Sequence, residues 1–306
     1  MSRVPLACAA PAAYRGGMLT VSLIARPEHL NPHLAESLRN AWGGGDVLWL
    51  SPDEAAEFEI EQLPDNFEDT RAALLSEGVD LNALPSDGRR KKLLLADMDS
   101  TMIEQECIDE LADEAGVGAH VAGITARAMN GELDFEEALT ERVALLKGLP
   151  ESTITRVLDD RITLAPGGRC LIATMTAHGA QTALVSGGFT AFSGEIAKRI
   201  GFHSHRANVL ESVDGTLTGQ VIPPILGREA KVARLDALCT EQGISAQDAL
   251  AVGDGANDLG MIHAAGMGVA LHAKPAVAAQ SDLRVSNGDL TALLFLQGYS
   301  RDQFRA

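Results

Sequence analysis

The sequence predicts an α/β protein whose core is a doubly wound parallel sheet, and three observations support this class. Apolar runs such as Leu93–Ala96 and Ala249–Val252 are too short for helices and indicate buried strands. From Arg169 onward such runs alternate with helical segments, which is the order that parallel sheets require. Several of these runs end abruptly at polar residues and glycines, as strands do when they lead to a ligand site at the carboxyl edge of a sheet.

The composition describes an ordinary globular protein with a small-molecule substrate. Of its 306 residues, 46% are hydrophobic and 22% are charged, which is typical of folded domains. The formal net charge of −17 argues against a nucleic-acid or membrane-surface partner, because polyanion binding needs basic patches. An acidic protein that binds an anion must concentrate positive charge locally, so we expect a metal ion and a few basic side chains at the site.

Cysteine usage and the lack of a long apolar run predict a cytoplasmic protein. The four cysteines are far apart and form no CxxC pair, which suits a reducing compartment. No apolar run reaches the roughly 18 residues of a membrane-spanning helix. The apolar start is interrupted by Pro5 and Pro11, so we do not expect an export signal. Met18 opens a better strand than Met1, so both are candidate starts, and residues 1–17 are expected to be a disordered extension.

Residues 1–85 predict a small N-terminal α+β domain. The first clear apolar run indicates a strand, Asn31 caps a helix, and two further short strands follow. This βαβ-type unit is expected to end near Pro64, before a helix over Phe67–Ser76. Proline, serine, aspartate and glycine at 85–88 mark the domain boundary. Because the segment carries no cluster of catalytic residue types, we expect it to be structural or interaction-making.

The remainder of the chain predicts a catalytic core that is interrupted by a helical insertion. In this interpretation residues 86–103 and 166–306 form the core, and residues 104–165 form a cap inserted in it. The insertion consists of four helical segments separated by glycine and proline breaks. Because these helices lie between two strands of the sheet, we expect them to fold over the strand ends.

Polar residues of a few chemical types follow the ends of the predicted strands. Each motif by itself is equally compatible with an ordinary turn or helix cap. Together they supply acids for a divalent cation, a hydroxyl and backbone N–H groups for phosphoryl oxygens, and a lysine for the remaining charge. The residues of this predicted phosphate site are Asp97, Asp99, Ser186, Gly187, Lys231, Asp254 and Asp258.

This combination resembles the haloacid dehalogenase (HAD) superfamily of phosphotransferases. The similarity lies in Asp97-Met98-Asp99-Ser100-Thr101, in Ser186-Gly187-Gly188-Phe189, in Lys231 and in Gly253-Asp254-Gly255-Ala256-Asn257-Asp258. The residues of these motifs are most similar to those of the phosphoserine phosphatase family. The resemblance extends through the cap and spans about residues 90 to 295. It is weaker over the N-terminal unit, which looks like a shortened ACT-like domain.

The resemblance implies a HAD-like Rossmannoid core and a specific reaction. It implies Mg²⁺-dependent hydrolysis of O-phospho-L-serine to L-serine and phosphate, the last step of serine biosynthesis. Asp97 would form an aspartyl-phosphate, and Asp99 would protonate the leaving serine oxygen and then activate water. The cation would be held by Asp97, by the backbone carbonyl of Asp99 and by Asp254, with Asp258 in support.

The cap is expected to recognise the amino-acid part of the substrate. Glu106 suits the α-ammonium and Arg142 suits the α-carboxylate. From the residues alone, solvated surface charges are the better interpretation of both, because that is the usual state of glutamate and arginine. The resemblance of the cap reverses this preference. Further substrate contacts are expected from Ser186, Gly187, Asn257 and an apolar lid of Met129 and Phe135.

Two alternatives remain open at the level of sequence. One is a HAD phosphatase for another small phosphomonoester, such as a sugar phosphate or phosphoglycolate. The other is a catalytically silent amino-acid sensor that uses the N-terminal unit. The intact acids Asp97, Asp99 and Asp254 with Lys231 argue against a silent protein. A homodimer is compatible with either interpretation.

Overall fold

The computed structural model describes residues 17–129 and 132–306, with the side chain of Met129 excluded. The predicted disorder of residues 1–17 therefore concerns a segment that, apart from Gly17, lies outside the described residues. The expected lid role of the Met129 side chain lies outside them as well. Within the described residues, no helix is both long and apolar enough to cross a bilayer.

The N-terminal domain is a four-stranded antiparallel sheet with two helices on one face. Its sheet order is β2-β3-β1-β4. Asn31 caps the first helix through a 2.9 Å hydrogen bond from His33 N, and Pro32 stands at its first position, as predicted. The elements are β1 (Leu19–Ala25), α1 (Pro32–Trp42), β2 (Leu48–Ser51), β3 (Ala55–Ile60), α2 (Phe67–Ser76) and β4 (Val79–Pro85).

Strand β4 corrects the prediction that the sheet of this unit ends near Pro64. It pairs along its whole length with β1, so the order is βαββαβ rather than a βαβ-type unit. The sequence did not predict this strand, because the polar residues Asp80 and Asn82 interrupt its apolar residues and suggest a solvent-exposed segment. Both side chains are in fact buried, since the second face of this sheet packs on the catalytic core.

The core begins with β5 (Leu93–Ala96), after which the chain leaves the sheet for the helical cap. The two connections to the cap are joined by an antiparallel bridge between Ile103 and Leu164, with hydrogen bonds from Glu104 N to Thr163 O and from Ala165 N to Met102 O, both 3.0 Å. The cap helices are α3 (Cys107–Glu114), α4 (Gly118–Met129), α5 (Phe135–Ala144) and α6 (Ser152–Asp160). A second isolated bridge, between Pro150 and Thr216, also joins the cap to the core, so the cap is attached at two places.

The rest of the core confirms the predicted doubly wound sheet. Its order is β11-β10-β9-β5-β6-β7-β8, and every neighbouring pair is parallel except the final hairpin β7–β8. Strand β5 lies at the centre of the sheet and its residues are fully buried. The remaining elements are α7 (Gly168–Ala177), β6 (Gln181–Phe189), α8 (Thr190–Ile200), β7 (Ser204–Val213), β8 (Thr216–Ile222), α9 (Arg228–Gln242), β9 (Ala249–Gly253), α10 (Leu259–Ala264), β10 (Met267–Leu271), α11 (Pro275–Ala278), β11 (Leu283–Val285) and α12 (Ala292–Leu296).

Polar side chains of β4 attach the N-terminal sheet to the edge of the core sheet. The Asp80 carboxylate accepts hydrogen bonds from the backbone N–H groups of Ser286, Asn287 and Gly288, each at 2.9 Å. The Asn82 amide donates to Arg284 O at 2.9 Å and accepts from Arg284 N at 2.8 Å, as a paired strand residue would. These side chains satisfy backbone groups that β11, an edge strand, cannot pair within its own sheet.

Arg89, in the connection between the domains, forms a second attachment. Its guanidinium pairs with both oxygens of Glu57 on β3, at 3.0 and 2.5 Å. It also donates to the carbonyls of Phe295 and Leu296 at the end of α12, at 3.1 and 3.0 Å. A bidentate, largely buried pair of this kind holds a fixed geometry. The N-terminal domain is therefore docked through specific polar contacts rather than through a loose linker.

We predict that Asp80→Ala lowers the free energy of unfolding by about 2–3 kcal/mol, because three backbone N–H groups, of which that of Gly288 is fully buried, lose a charged acceptor. Urea denaturation of the whole chain measures this change. Asp65→Ala, which alters an exposed carboxylate of the same domain, should shift the value by less than about 0.5 kcal/mol. Equal stabilities of the two variants would contradict a docking role for Asp80.

Candidate active site

Asp97, the first of the predicted site residues, lies directly after the central strand. Asp97 N donates to Val252 O at 3.0 Å, which extends the ladder between β5 and β9 by one residue. The chain then turns sharply at Ser100, which has φ +54°, and Met98 O accepts from the N–H groups of Met102 and Ile103 at 2.8 and 3.0 Å. This turn places the carboxylates of Asp97 and Asp99 at the carboxyl edge of the sheet, below the cap.

Lys231 lies between two carboxylates in a nearly dry space. Its Nζ is 2.7 Å from Asp97 Oδ1 and 2.6 Å from Asp258 Oδ1, and its side chain is only 2% exposed. Burial alone would lower the pKa of Lys231, but Asp258 and Asp97 outweigh burial and raise it. The lysine therefore stays charged at neutral pH and fixes one oxygen of each carboxylate.

Three carboxylates converge on one point where a cation could bind. Ligand oxygens of Asp97, Asp254 and Asp258 lie within 4.8 Å of one another. Burial, together with the charge of Asp258, raises the pKa of Asp254 to about 6 and the pKa of Asp97 well above its usual range. Thr101 Oγ1 is 3.4 Å from Asp254 Oδ1. An all-oxygen carboxylate set of this kind fits a hard divalent cation, which would relieve the mutual repulsion.

Asp99 is held apart from this cluster by two hydrogen bonds. Its Oδ1 accepts from Cys107 N, the first residue of α3, at 2.9 Å. Its Oδ2 accepts from Ser186 Oγ at 3.1 Å, and Ser186 Oγ in turn accepts from Gly188 N at 2.8 Å. The expected metal contact of Asp99 is through its backbone carbonyl, so the carboxylate remains available for proton transfer.

Two glycines in the predicted motifs are required by close approach. A Cβ on Gly188 would lie 2.6 Å from Asp99 Oδ2, and a Cβ on Gly253 would lie 2.3 Å from the Asp258 carboxyl carbon. Either distance is far shorter than a normal contact, so a larger residue would displace the acid beside it. The glycines therefore let the backbone pass directly beneath the functional carboxylates.

Glu106 and Arg142 of the cap both interact electrostatically with Asp99 of the core. Ser100 Oγ donates to Glu106 Oε1 at 2.7 Å. Glu106 keeps some exposed surface, but partial burial of its carboxylate, together with the charge of Asp99, raises its pKa to about 7. Arg142 Nε donates to Ala138 O at 3.1 Å, and burial lowers the pKa of Arg142 although Asp109, Glu106 and Asp99 act in the opposite direction. An acid and a guanidinium of the cap thus stand near the predicted phosphate site.

Phe135, the first residue of α5, covers the phosphate end. A Cβ on Gly187 would lie 2.9 Å from Phe135 Cζ and 3.9 Å from Asn257 Nδ2, and a Cβ on Gly227 would lie 3.3 Å from Phe135 Cδ1. Phe135, Gly187 and Asn257 are therefore brought together, as the sequence predicts. Of the predicted substrate residues, only the side chain of Met129 lies outside the described residues.

Sequence reasoning assigned no role to several residues that stand at this site. Thr101 contacts Asp254. Burial raises the pKa of Asp254 and of Asp109 on the cap, and exposed Lys274, just beyond β10, offsets part of each rise. Lys274 follows a strand of the same sheet, and this position in the sequence could have indicated that it lies at the site. His203 and His205, which form a His-x-His pair in the sequence, hydrogen-bond Thr182 and Ser193 and have a structural role.

The chain is similar to known enzymes over most of its length. The family model for haloacid dehalogenase-like hydrolases matches residues 94–263. A phosphoserine phosphatase of Streptococcus thermophilus is 46% identical over 200 residues, 65% of this chain and 93% of that protein. A probable phosphoserine phosphatase of Schizosaccharomyces pombe is 41% identical over 280 residues, 89% of this chain and 93% of that protein.

A solved structure connects this similarity to the geometry of the site. It is described as a phospho-aspartyl intermediate analogue of phosphoserine phosphatase, and it superimposes with a TM-score of 0.63 at 40% identity, over 67% of this chain and 98% of that chain. The strand order, the acids at the strand ends and these matches agree. The chain belongs to the haloacid dehalogenase-like hydrolases and, within them, to the phosphoserine phosphatases.

Proposed function

We propose that this chain hydrolyses O-phospho-L-serine to L-serine and phosphate in a Mg²⁺-dependent reaction, as the last step of serine biosynthesis. The observation that carries the proposal is the pairing of two recognition ends in one cleft. Asp97, Ser186 and Lys231 suit a phosphoryl group, and Glu106 and Arg142 stand beside them with the charges that an amino acid requires. The free thiols of the described cysteines support a cytoplasmic location for this enzyme.

We assign Asp97 as the nucleophile and Asp99 as the acid and base. Lys231 holds Oδ1 of Asp97, so Oδ2 attacks phosphorus while the bond from phosphorus to the serine oxygen breaks. Asp99 in its acid form gives its proton to that oxygen and releases serine. Asp99 then takes a proton from a water that attacks the aspartyl-phosphate, which frees phosphate and restores the Asp97 carboxylate.

The attack brings two anions together, so the site must supply positive charge. Two unit charges 4 Å apart repel by about 4 kcal/mol at an effective dielectric of about 20. Lys231 offsets part of this repulsion. The residues that would hold Mg²⁺ are Asp97, Asp254 and the Asp99 carbonyl, with Asp258 in support, and the bound ion would neutralise the phosphoryl oxygens.

Specificity for the amino-acid part is assigned to the cap. The Glu106 carboxylate pairs with the α-ammonium when it is ionised, which its pKa of about 7 allows at and above neutral pH. Arg142 forms the matching pair with the α-carboxylate. Phe135 closes the site over Gly187, and Asn257 lies at the same edge. Because both ends of the substrate are charged, water must be excluded for these pairs to discriminate between substrates.

We predict that Asp97→Asn lowers kcat for O-phospho-L-serine by at least about a thousandfold, since an amide cannot form the phosphoenzyme. Phosphate release is measured against a panel that also contains phosphothreonine, phosphoglycolate and a sugar phosphate. Asp236→Asn, an exposed position on α9, is the control and should retain wild-type turnover. A preference of the wild type for another member of the panel would overturn the substrate assignment.

We predict that chelation of divalent cations abolishes turnover and that Mg²⁺ restores it, whereas calcium inhibits. Calcium takes six to eight oxygen ligands and would engage both oxygens of Asp97. Independently of activity, saturating Mg²⁺ should raise the melting temperature, because at about 100 times Kd a ligand adds about 2.7 kcal/mol of stability. Asp254→Asn should lose most of this shift and Asp236→Asn none. An undiminished shift in Asp254→Asn would place the cation elsewhere.

We predict that Arg142→Ala lowers kcat/KM for O-phospho-L-serine by about 30-fold to several thousandfold, because a desolvated carboxylate loses its partner at a cost of about 2–5 kcal/mol. Hydrolysis of p-nitrophenyl phosphate, which has no α-carboxylate, should change little. Arg127→Ala removes a surface arginine of the cap that pairs with Glu141 at 2.8 Å and serves as the control. An equal loss for both substrates would assign Arg142 to the fold instead.

A further inference from the structure

Asn208 lies in β7, outside every motif that the sequence analysis identified, and its side chain is 1% exposed. Strands β6 and β7 pair regularly at Val185–Arg206 and resume at Phe189–Asn208. Three residues of β6, Ser186 to Gly188, therefore stand against one residue of β7. The phosphate motif is a bulge in the sheet, and its backbone groups cannot be satisfied by ordinary strand pairing.

The Asn208 amide replaces the missing pairing. Its Nδ2 donates to Gly187 O at 2.8 Å, inside the bulge. A peptide group is planar, so fixing the carbonyl of Gly187 also fixes the direction of the N–H of Gly188. That N–H donates to Ser186 Oγ at 2.8 Å, and Ser186 Oγ donates to Asp99 Oδ2 at 3.1 Å. A continuous series of hydrogen bonds thus runs from Asn208 to the assigned acid and base.

The same amide also holds the loop that precedes α9. Its Oδ1 accepts from Leu226 N at 2.7 Å, and its Nδ2 lies 3.4 Å from Leu226 O. Helix α9 carries Lys231 only a few residues later. One buried side chain therefore joins the bulge to the segment that leads to the lysine.

We propose that Asn208 is a positioning residue for the hydrolytic reaction: it sets the plane of the Gly187–Gly188 peptide and thereby orients the Ser186 hydroxyl and the Asp99 carboxylate. It does not touch the substrate. The inference rests on the proposed roles of Ser186 and Asp99. A residue that served only the fold would support Leu226 and fill space, and its loss would not depend on whether Ser186 is present.

A double-mutant cycle tests the path through Ser186. Asn208→Asp keeps the shape and the acceptor for Leu226 N but, when ionised, cannot donate to Gly187 O. The expected result in the wild-type background is a fall in kcat of about 10- to 100-fold, which is the effect expected when catalytic groups are displaced by a fraction of an ångström to about 1 Å. In the Ser186→Ala background the same change should alter kcat by less than about threefold, since linked residues are not additive. Should Asn208→Asp fail to fold, the smaller and uncharged Asn208→Ser enters the cycle.

The control is Ser193→Ala, which removes a 3.0 Å hydrogen bond between the buried Ser193 of α8 and His205, a residue of the same strand as Asn208. It should lower the melting temperature and leave kcat within about twofold of wild type. An unchanged kcat in folded Asn208→Asp, or equal falls in both backgrounds, would overturn the proposal. The cycle is run with p-nitrophenyl phosphate as well as O-phospho-L-serine. If only the substrate assignment is wrong, the wild type hydrolyses O-phospho-L-serine poorly, and the cycle with p-nitrophenyl phosphate still tests the role of Asn208.

Discussion

Mutual repulsion of carboxylates in a nearly dry space is the constraint on which this site depends. Asp97, Asp254 and Asp258 converge within a few ångströms, and the buried Lys231 balances part of their shared charge from within the protein. The surrounding structure serves to hold this arrangement. The central strand fixes Asp97 through the ladder, and Gly253 lets the backbone pass beneath Asp258. A divalent cation completes the charge balance, so the fold without a cation is prepared to bind one.

Around this cluster, the site is built by departures from regular structure. Ser100 adopts a left-handed conformation directly after the central strand, and β6 bulges where it meets the phosphate end. Each departure leaves backbone groups without strand partners, and each is compensated by specific hydrogen bonds. The regular parts of the sheet supply rigidity, and the irregular parts supply the N–H groups and hydroxyls that a phosphoryl group needs.

The predictable parts of this protein are those with a local signal. The run Leu93–Ala96 followed by two aspartates identified both the central strand and the site, because burial and chemistry are adjacent in the chain. Strand β4 was missed because Asp80 and Asn82 point toward groups more than 200 residues away. Asn208 gave no signal either, since a single asparagine in a strand has no periodicity. Both failures concern buried polar side chains whose partners exist only after folding.

The attachment of Asp99 to the cap has a consequence for the assigned acid and base. Its Oδ1 accepts a hydrogen bond from the amide of Cys107, four residues beyond the Ile103–Leu164 bridge, and its Oδ2 accepts one from Ser186 of the core. The carboxylate therefore spans the joint between cap and core, and a substitution that displaced the start of α3 would remove one of its two donors. Damage to the cap would in this way reach the proton transfer assigned to Asp99, and not substrate recognition alone.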